Sequence, residues 1–399
     1  MRKDLKLPWH IPIIFAVTFI IHHMDRNAIA YALPNIAKEF HWTDQQTGDW
    51  GQYLLGAFFL TFGLAQIAFS GLAERFGAKR SMIAAIIGFS CVSMAVGPLG
   101  GSLLALVGLR LLLGLAESVH VPMMGVITAR NFPKDKRATA NSIWNVGLIV
   151  ATALSSVILV PLMVAFGWRA TFVIIGASGL LIGAPLVYLF VRDNGMAKAS
   201  TPATRVTFRS RPGYWLYVAV GVLNAFAGFG ILGWLPTYFV RAKGVDFAAL
   251  GWPLSIVFTT GVVGTLVLAG IGDRLNKRIA IASIGFFCAS ALLCLAIRAE
   301  TLAGLVALFA AAVFCQSAFQ AQEHATVQAL AGDKDVGAAT GVYNGISLLI
   351  GGVVGSVVPG AVVSVTGNFD YALLAIAIAA AAAGGLSALL ASYGIENRP

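Results

Sequence analysis

Runs of apolar residues, each long enough to cross a bilayer, repeat along the whole chain with short polar breaks between them. A membrane-spanning helix needs roughly 20 such residues. The pattern predicts helices over residues 9–32, 48–70, 80–98, 102–128, 138–163, 168–191, 213–238, 247–270, 278–297, 301–330, 337–365 and 370–393. That makes about twelve spans, with Gly and Pro scattered inside them where neighbouring helices must approach closely. One long polar break interrupts the series, from Arg192 to Pro212, and it carries Ser200, Thr201, Pro202, Thr204 and several arginines. It reads as a flexible linker, 194–212, joining an N-terminal six-helix bundle, 1–193, to a C-terminal one, 213–399.

Composition turns this pattern into a class. Of 399 residues 58% are hydrophobic and 11% charged, where a soluble chain carries about 25% charged residues. The chain is therefore an all-α, multi-pass membrane protein. Its first apolar run is long, carries charge and lacks a small-residue cleavage site, so no cleavable signal peptide is expected. A net charge of +10 ordinarily raises nucleic-acid binding. Here Lys and Arg sit in short loops between apolar runs, which points to membrane orientation and not to nucleic acid. With the N-terminus inside, the inner loops hold roughly four basic residues for each one outside, and this bias places both termini in the cytoplasm. The expected setting is the inner (cytoplasmic) membrane. Cys91, Cys288, Cys294 and Cys315 lie in apolar segments at spacings that fit neither a metal site nor a disulfide framework, and are read as core residues. No metal and no cofactor beyond the proton gradient is expected, and the lipid bilayer is the surrounding partner of a monomer.

The two halves repeat. Gly71-Leu-Ala-Glu74-Arg75-Phe-Gly77-Ala-Lys79-Arg80 returns as Gly270-Ile-Gly-Asp273-Arg274-Leu-Asn-Lys277-Arg278. Arg137 to Asn141 is echoed more weakly by Gly337 to Gly341, and Gly167-Trp168 by Gly367-Asn368, at an offset of about 200 residues. A duplicated bundle places substrate near the midplane between its halves, and rocking of one half against the other gives alternating access.

The first apolar run also contains His22-His23-Met24-Asp25-Arg26-Asn27. A charge at that depth costs at least about 2.5–3.5 kcal/mol on insertion scales, so ionisable groups there mark a transport or proton pathway by default. The fourth span returns with Arg110 and Glu117, two helical turns apart and on one face. At about 1.5 Å rise per residue, both acids and both arginines fall in one band within about 9 Å of the midplane. His22 sits one turn from Asp25 and Arg26 on the same face, while His23 points elsewhere and is read as structural.

These segments resemble a known family. The repeated loop looks like the G-x-x-x-D-R-x-G-x-[RK]-[RK] signature of the major facilitator superfamily, with Glu74 in the acidic place. Asp25-Arg26-x-x-Ile-x-x-Ala-Leu-Pro34, Gly51 to Gln66, Arg110-x-x-x-Gly114-x-x-Glu117, Asn131-Phe-Pro133 to Arg137 and Gly167-Trp-Arg169 together resemble the anion:cation symporter family. Its members are similar to the mammalian organic-anion and phosphate carriers and move sugar acids, dicarboxylates or aromatic acids, many with protons. The resemblance implies the major facilitator fold of two pseudo-symmetric six-helix bundles, with Arg26 as the substrate-anion contact and Asp25 and Glu117 as proton carriers. Members often have Tyr ahead of the Asp-Arg pair, where this chain has His22-His23, and Glu323-His324 is outside the family pattern.

Electrostatics alone leads to the same expectation. Arg remains charged when buried and presents a planar fork that fits a carboxylate. A substrate anion arriving at Arg26 displaces the acid paired with it, that acid takes a proton, and the neutralised site crosses the barrier. Arg110 and His22 complete the proton-coupling set. In the second half Asn224 falls near the Asp25 position and Gln316 near that of Glu117, so polarity is kept and charge lost. Selectivity is assigned to neutral groups: Asn224, Trp234, Tyr238, Gln316, Gln320 and Asn344, with Gln52, Tyr53 and Asn145 from the first half. For each of these, a helix–helix hydrogen bond competes with a ligand contact. Glu74, Arg75, Lys79, Arg130 and Arg137, and Asp273 with Arg274, form candidate ion-pair latches; Glu323 reads as a gate contact or a second proton stop. The chain has no metal cluster, nucleophile elbow or phosphate loop, so an enzyme is not expected. The expected function is import of a small organic anion by proton symport. Its rivals are a proton-driven exporter of drugs or metabolites, against which Arg26 argues, and a proton-independent uniporter or exchanger.

Overall fold

The computed structural model describes residues 7–193, 212–275, 277–331 and 336–392, and over these the chain is helical. In the first half the helices are α1 (His10–Glu39), α2 (Asp44–Phe76), α3 (Ala78–Leu99), α4 (Leu103–Glu117), α5 (His120–Asn131), α6 (Lys134–Ser178) and α7 (Ala184–Phe190). In the second they are α8 (Pro212–Thr237), α9 (Gly251–Leu275), α10 (Arg278–Ile297), α11 (Leu302–Ala331), α12 (Val336–Ile346), α13 (Gly352–Thr366) and α14 (Phe369–Ser392). Single π-helical turns at Gly179–Gly183 and Ser347–Gly351 join α6 to α7 and α12 to α13.

Among the described residues ten helices are long and apolar enough to cross a membrane. One of them, Thr139–Phe190, runs for 52 residues. It is broken at Gly167, where φ is +79°, a backbone that L side chains rarely adopt and Gly adopts freely. The break separates the fifth and sixth spans read from sequence. Gly367 closes α13 with φ +67°, so a glycine of positive φ stands at the matching break in both halves, with ψ 161° at Gly167 and 12° at Gly367.

Two features of the helices differ from the sequence reading. The fourth span, Leu103–Asn131, is interrupted by a turn: α4 ends at Glu117 and α5 starts at His120. Pro122 explains this, since it has no N–H for the Ser118 carbonyl and its ring crowds that oxygen. And Cys91, Cys288 and Cys294 are not core residues; their helices turn them to the protein surface. The linker 194–211, the His324 and Asp273 side chains and the Lys134 side chain lie outside the described residues.

The chain clusters into two units, Met1–Ile29 with Leu60–Thr201, and Ala30–Phe59 with Pro202–Pro399. The division crosses α1 and α2. In the first unit α6 meets α1 closely, for a Cβ on Gly147 would stand 2.5 Å from the Ala16 carbonyl oxygen. Gly176 similarly lies against the Ser90 carbonyl of α3. In the second unit the start of α2 packs on second-half helices: Gly48 against Gly360 and Ser364, Gly51 against the Trp234 ring. The aromatic core of that unit gathers Tyr214, Tyr217, Phe286, Phe319 and Tyr343.

Candidate functional site

The first unit holds a buried polar band. α1 brings His22, His23, Asp25, Arg26 and Asn27, α3 brings Ser90 and Ser93, α4 brings Arg110 and Glu117, α5 brings His120, and α6 brings Ser155. Asp25 and Glu117 are 0% exposed, while Arg26 retains 9%. Ser93 Oγ donates to Asp25 Oδ1 at 2.6 Å. Arg110 Nη2 donates to the Arg26 carbonyl at 3.5 Å. Its guanidinium lies in the fields of both Glu117 and Asp25, and Arg26 lies in those of Glu117 and Arg110. The Arg26 guanidinium rests over the Phe62 ring, 5.2 Å from its centroid, which cation–π attraction favours. The structure therefore brings together the four charged side chains expected from sequence.

It also brings together three imidazoles. His22 Nε2 is 3.2 Å from Glu117 Oε2. The His22 ring stacks on His120 at 4.9 Å between centroids and 16° between planes, and His22 Nδ1 is 3.4 Å from His23 Nδ1. His23 is thus beside His22 and not turned away; its ring meets Phe19 edge-on at 4.4 Å. The sequence reading missed His120 and Ser93. For His120 a signal existed: it follows Glu117 by three residues, one helical turn.

Four neutral candidates of the second half, Asn224, Trp234, Tyr238 and Gln316, bond to other protein groups. Gln316 Nε2 donates to Asn224 Oδ1 at 3.2 Å and to the Asn224 carbonyl at 3.3 Å. Trp234 Nε1 donates to the Ser356 carbonyl at 2.9 Å, and the Tyr238 hydroxyl to Asp370 at 2.8 Å. Gln52 Nε2 donates to Asp49 at 3.0 Å. Tyr53, Asn145, Gln320 and Asn344 are exposed. Glu323 Oε1 accepts from the buried Tyr343 hydroxyl at 2.8 Å.

At the α2–α3 loop the centre of the ion pairing is Arg130. It meets Glu74 at 3.2 Å and Asp193 at 2.8 Å. Lys79 Nζ donates to the Tyr188 carbonyl at 2.8 Å, and Arg137 to the Phe132 and Ala129 carbonyls at 3.0 and 2.7 Å. Arg75 and Arg274 are exposed. A further pair was not foreseen: Arg241 grips Asp44 at 2.6 Å and donates to the Trp42 carbonyl at 3.0 Å, within the second unit.

A sequence model of the Major Facilitator Superfamily matches residues 15–297 and again 241–398. The chain belongs to that superfamily. A Major Facilitator Superfamily chain is a membrane transporter and not an enzyme, in agreement with the sequence reading. This one is 26% identical to the hexuronate transporter of Bacillus subtilis (strain 168), over 89% of this chain and 88% of that one. It is 24% identical to the D-galactonate transporter of Escherichia coli O6:H1 (strain CFT073), over 95% of this chain and 94% of that one. In fold it is similar to a bacterial homologue of the human lysosomal transporter Spinster, in an inward-facing and occupied conformation, with TM-score 0.85, 17% identity and 96% of each chain covered.

Proposed function

We propose that this superfamily member imports a small organic anion, of the sugar-acid class, across a bacterial inner membrane by proton symport with alternating access. The observation that carries the reading is the charge count of the buried band: two guanidiniums, Arg26 and Arg110, and two carboxyls, Asp25 and Glu117. Uncompensated buried charge costs several kcal/mol per ion. A carboxylate substrate that enters alone leaves the band negative by one, and a proton that enters alone leaves it positive by one. Entering together they keep it neutral, so the loaded band and the empty band are the two forms that cross the membrane at low cost.

In the cycle, Arg26, which keeps some exposure, takes the substrate carboxylate in its planar fork. The Glu117 carboxyl, in the same field, takes the proton. Asp25, fully buried and held by Ser93, stays with Arg110. The names of the hexuronate and D-galactonate relatives support a sugar acid as the substrate. Counting α1 as a span and dividing Thr139–Phe190 at Gly167 gives the twelve spans of the reading, with both termini in the cytoplasm. The moving bodies are the chain halves 1–193 and 213–399, joined by 194–212, in a monomer.

A thermal-shift screen of sugar acids and other carboxylates on the purified protein tests the anion. A substrate at 100 times its Kd stabilises by about 2.7 kcal/mol; the Arg26→Ala protein is expected to show no shift with the same compound. Uptake of that compound into liposomes, with and without an imposed pH gradient, tests the coupling. Accumulation that ignores the gradient leaves a uniporter or exchanger; outward movement against a gradient makes it an exporter.

A further inference from the structure

Three imidazoles in one buried band are not needed to bind an anion, nor to balance charge. Their geometry points to a different task. His22 stands between two groups that exchange protons: Glu117 Oε2 is 3.2 Å from its Nε2, and His23 Nδ1 is 3.4 Å from its Nδ1. Both ring nitrogens of His22 therefore face a titratable atom. His22 and His120 are 0% exposed, whereas His23 retains 9%. The three groups run from a fully enclosed carboxyl, through an enclosed imidazole, to the one imidazole of the band with any exposure. We propose that His22 and His23 form a relay through which the proton carried by Glu117 leaves the band, with His120 as a positioning residue that holds the His22 ring plane.

The step balances with neutral rings at both ends. Before release, Glu117 carries a proton on Oε2, His22 on Nδ1 and His23 on Nε2. The Glu117 O–H bond breaks and a bond forms to His22 Nε2. The His22 Nδ1 proton passes to His23 Nδ1, and His23 sheds its Nε2 proton to water. Glu117 is left as the carboxylate and both rings have changed tautomer. Imidazole suits the task because each neutral ring has one donor and one acceptor nitrogen and can exchange them. The 3.2 Å contact is close in distance but not aligned as a hydrogen bond; such contacts commonly tighten when substrate arrives.

His120 has a different part. Among the described residues neither of its ring nitrogens has a hydrogen-bond partner, and its ring stacks on the face of His22. A proton does not pass through stacked ring faces, so His120 acts by contact. The charged and titratable groups that face His22 are Glu117 from α4, His120 from α5, and His23 and Arg26 from α1; α3 presents the apolar Phe89 ring at 5.8 Å.

The proposal rests on Glu117 as the proton carrier, so the test separates the two. Protein labelled with 15N-histidine is placed in bilayers and its ring nitrogens followed by NMR between about pH 5 and 8, the range in which imidazole chemistry is read. His22 and His23 are expected to change tautomer together, and Glu117→Gln is expected to abolish that change. Tautomers of His22 and His23 that are indifferent to Glu117→Gln overturn the relay. His120→Ala is expected to weaken the coupled change and His120→Phe, which keeps a flat ring and no titratable nitrogen, to restore it. Failure of His120→Phe with success of His120→Asn overturns the stacking role. A liposome assay with D-glucuronate as probe addresses the underlying reading. If the parent accumulates it under a pH gradient and His22→Phe does so equally well, the relay is wrong; if the parent ignores the gradient, symport of this acid is wrong and the relay stands on the NMR result.

Discussion

Ser93 shows how much a single small side chain does here. Its hydroxyl gives Asp25 a 2.6 Å hydrogen bond in a place that water does not reach. Hydrogen bonds to charged groups contribute about 1.5–3 kcal/mol, and leaving the buried acceptor unsatisfied adds to the loss. Ser93→Ala is therefore expected to destabilise the folded protein by about 1.5–3 kcal/mol, measured by thermal melting in detergent. In an Asp25→Asn background the same change should cost less, because the two effects belong to one contact. Arg26 gives the complementary prediction for function. Arg26→Lys keeps the charge but loses the two-point fork, so KM for the transported acid should rise about tenfold or more, the equivalent of about 1.4 kcal/mol. Unchanged KM in Arg26→Lys would place the substrate carboxylate elsewhere. The charged members of this site were legible in the sequence because charge inside an apolar run is conspicuous. The contacts among them were not. His22 and His120 stand 98 positions apart in the chain, and only the packing of α1 against α4 and α5 makes them neighbours. Asp193 was hidden for the same reason: it follows the sixth span, and its partner Arg130 precedes the fifth.

Helices meet here through glycine, and the approach distances sort those glycines into two kinds. Gly147 of α6 lets α1 come so near that a Cβ would press on the Ala16 carbonyl at 2.5 Å, with the Ala16 Cα at 3.1 Å. Backbone cannot yield as a side chain tip can, so Gly147→Ala should lower stability by about 1–3 kcal/mol. Gly125 of α5 has nothing within 4 Å of the same position. There Gly125→Ala removes only the excess backbone freedom of glycine and should stabilise by about 0.5–1 kcal/mol. Melting curves of the two variants side by side test the argument, since equal shifts would mean the helix spacing is not what the glycines set. Sequence shows both as glycines in apolar runs and cannot rank them. It did leave Gly167 and Gly367, which take a positive φ, between predicted spans and at matching places in the repeat. The helix break after Glu117 needed Pro122 to be weighed against the long apolar run that surrounds it. The irregular turn lies between Glu117 and His120, whose ring stacks on His22.

Alternating access requires contacts that hold in one state and part in another, each weak enough that neither state traps the chain. The pair Arg241–Asp44 has the right character. It joins the start of α2 to the π-helical turn Tyr238–Ala242 that follows α8, with the side chains of Arg241 and Asp44 24% and 43% exposed. Pairs this open contribute about 0–1 kcal/mol, so Asp44→Asn should change the balance of states by no more than about fivefold. The glycines beneath it act in the same direction: Gly48 lies against Gly360 and Ser364, and Gly51 against Trp234, so this end of α2 is seated closely on second-half helices. If the proposed cycle is right, that seat must open once in every turnover. Replacing Asp44 and Arg241 by Cys, in a background with the four native cysteines changed to Ser, permits a short bifunctional maleimide to tie them. Transport should stop in the tied protein and continue in each single-Cys protein treated alike. With a reducible linker of equal length, thiol should restore it. Binding of the transported acid should survive the tie when it is offered from the opposite side of the membrane, because only one of the two openings has been closed. Full transport in a protein shown to be tied would mean that α2 never leaves its seat, and that substrate passes by a route other than alternation at this end.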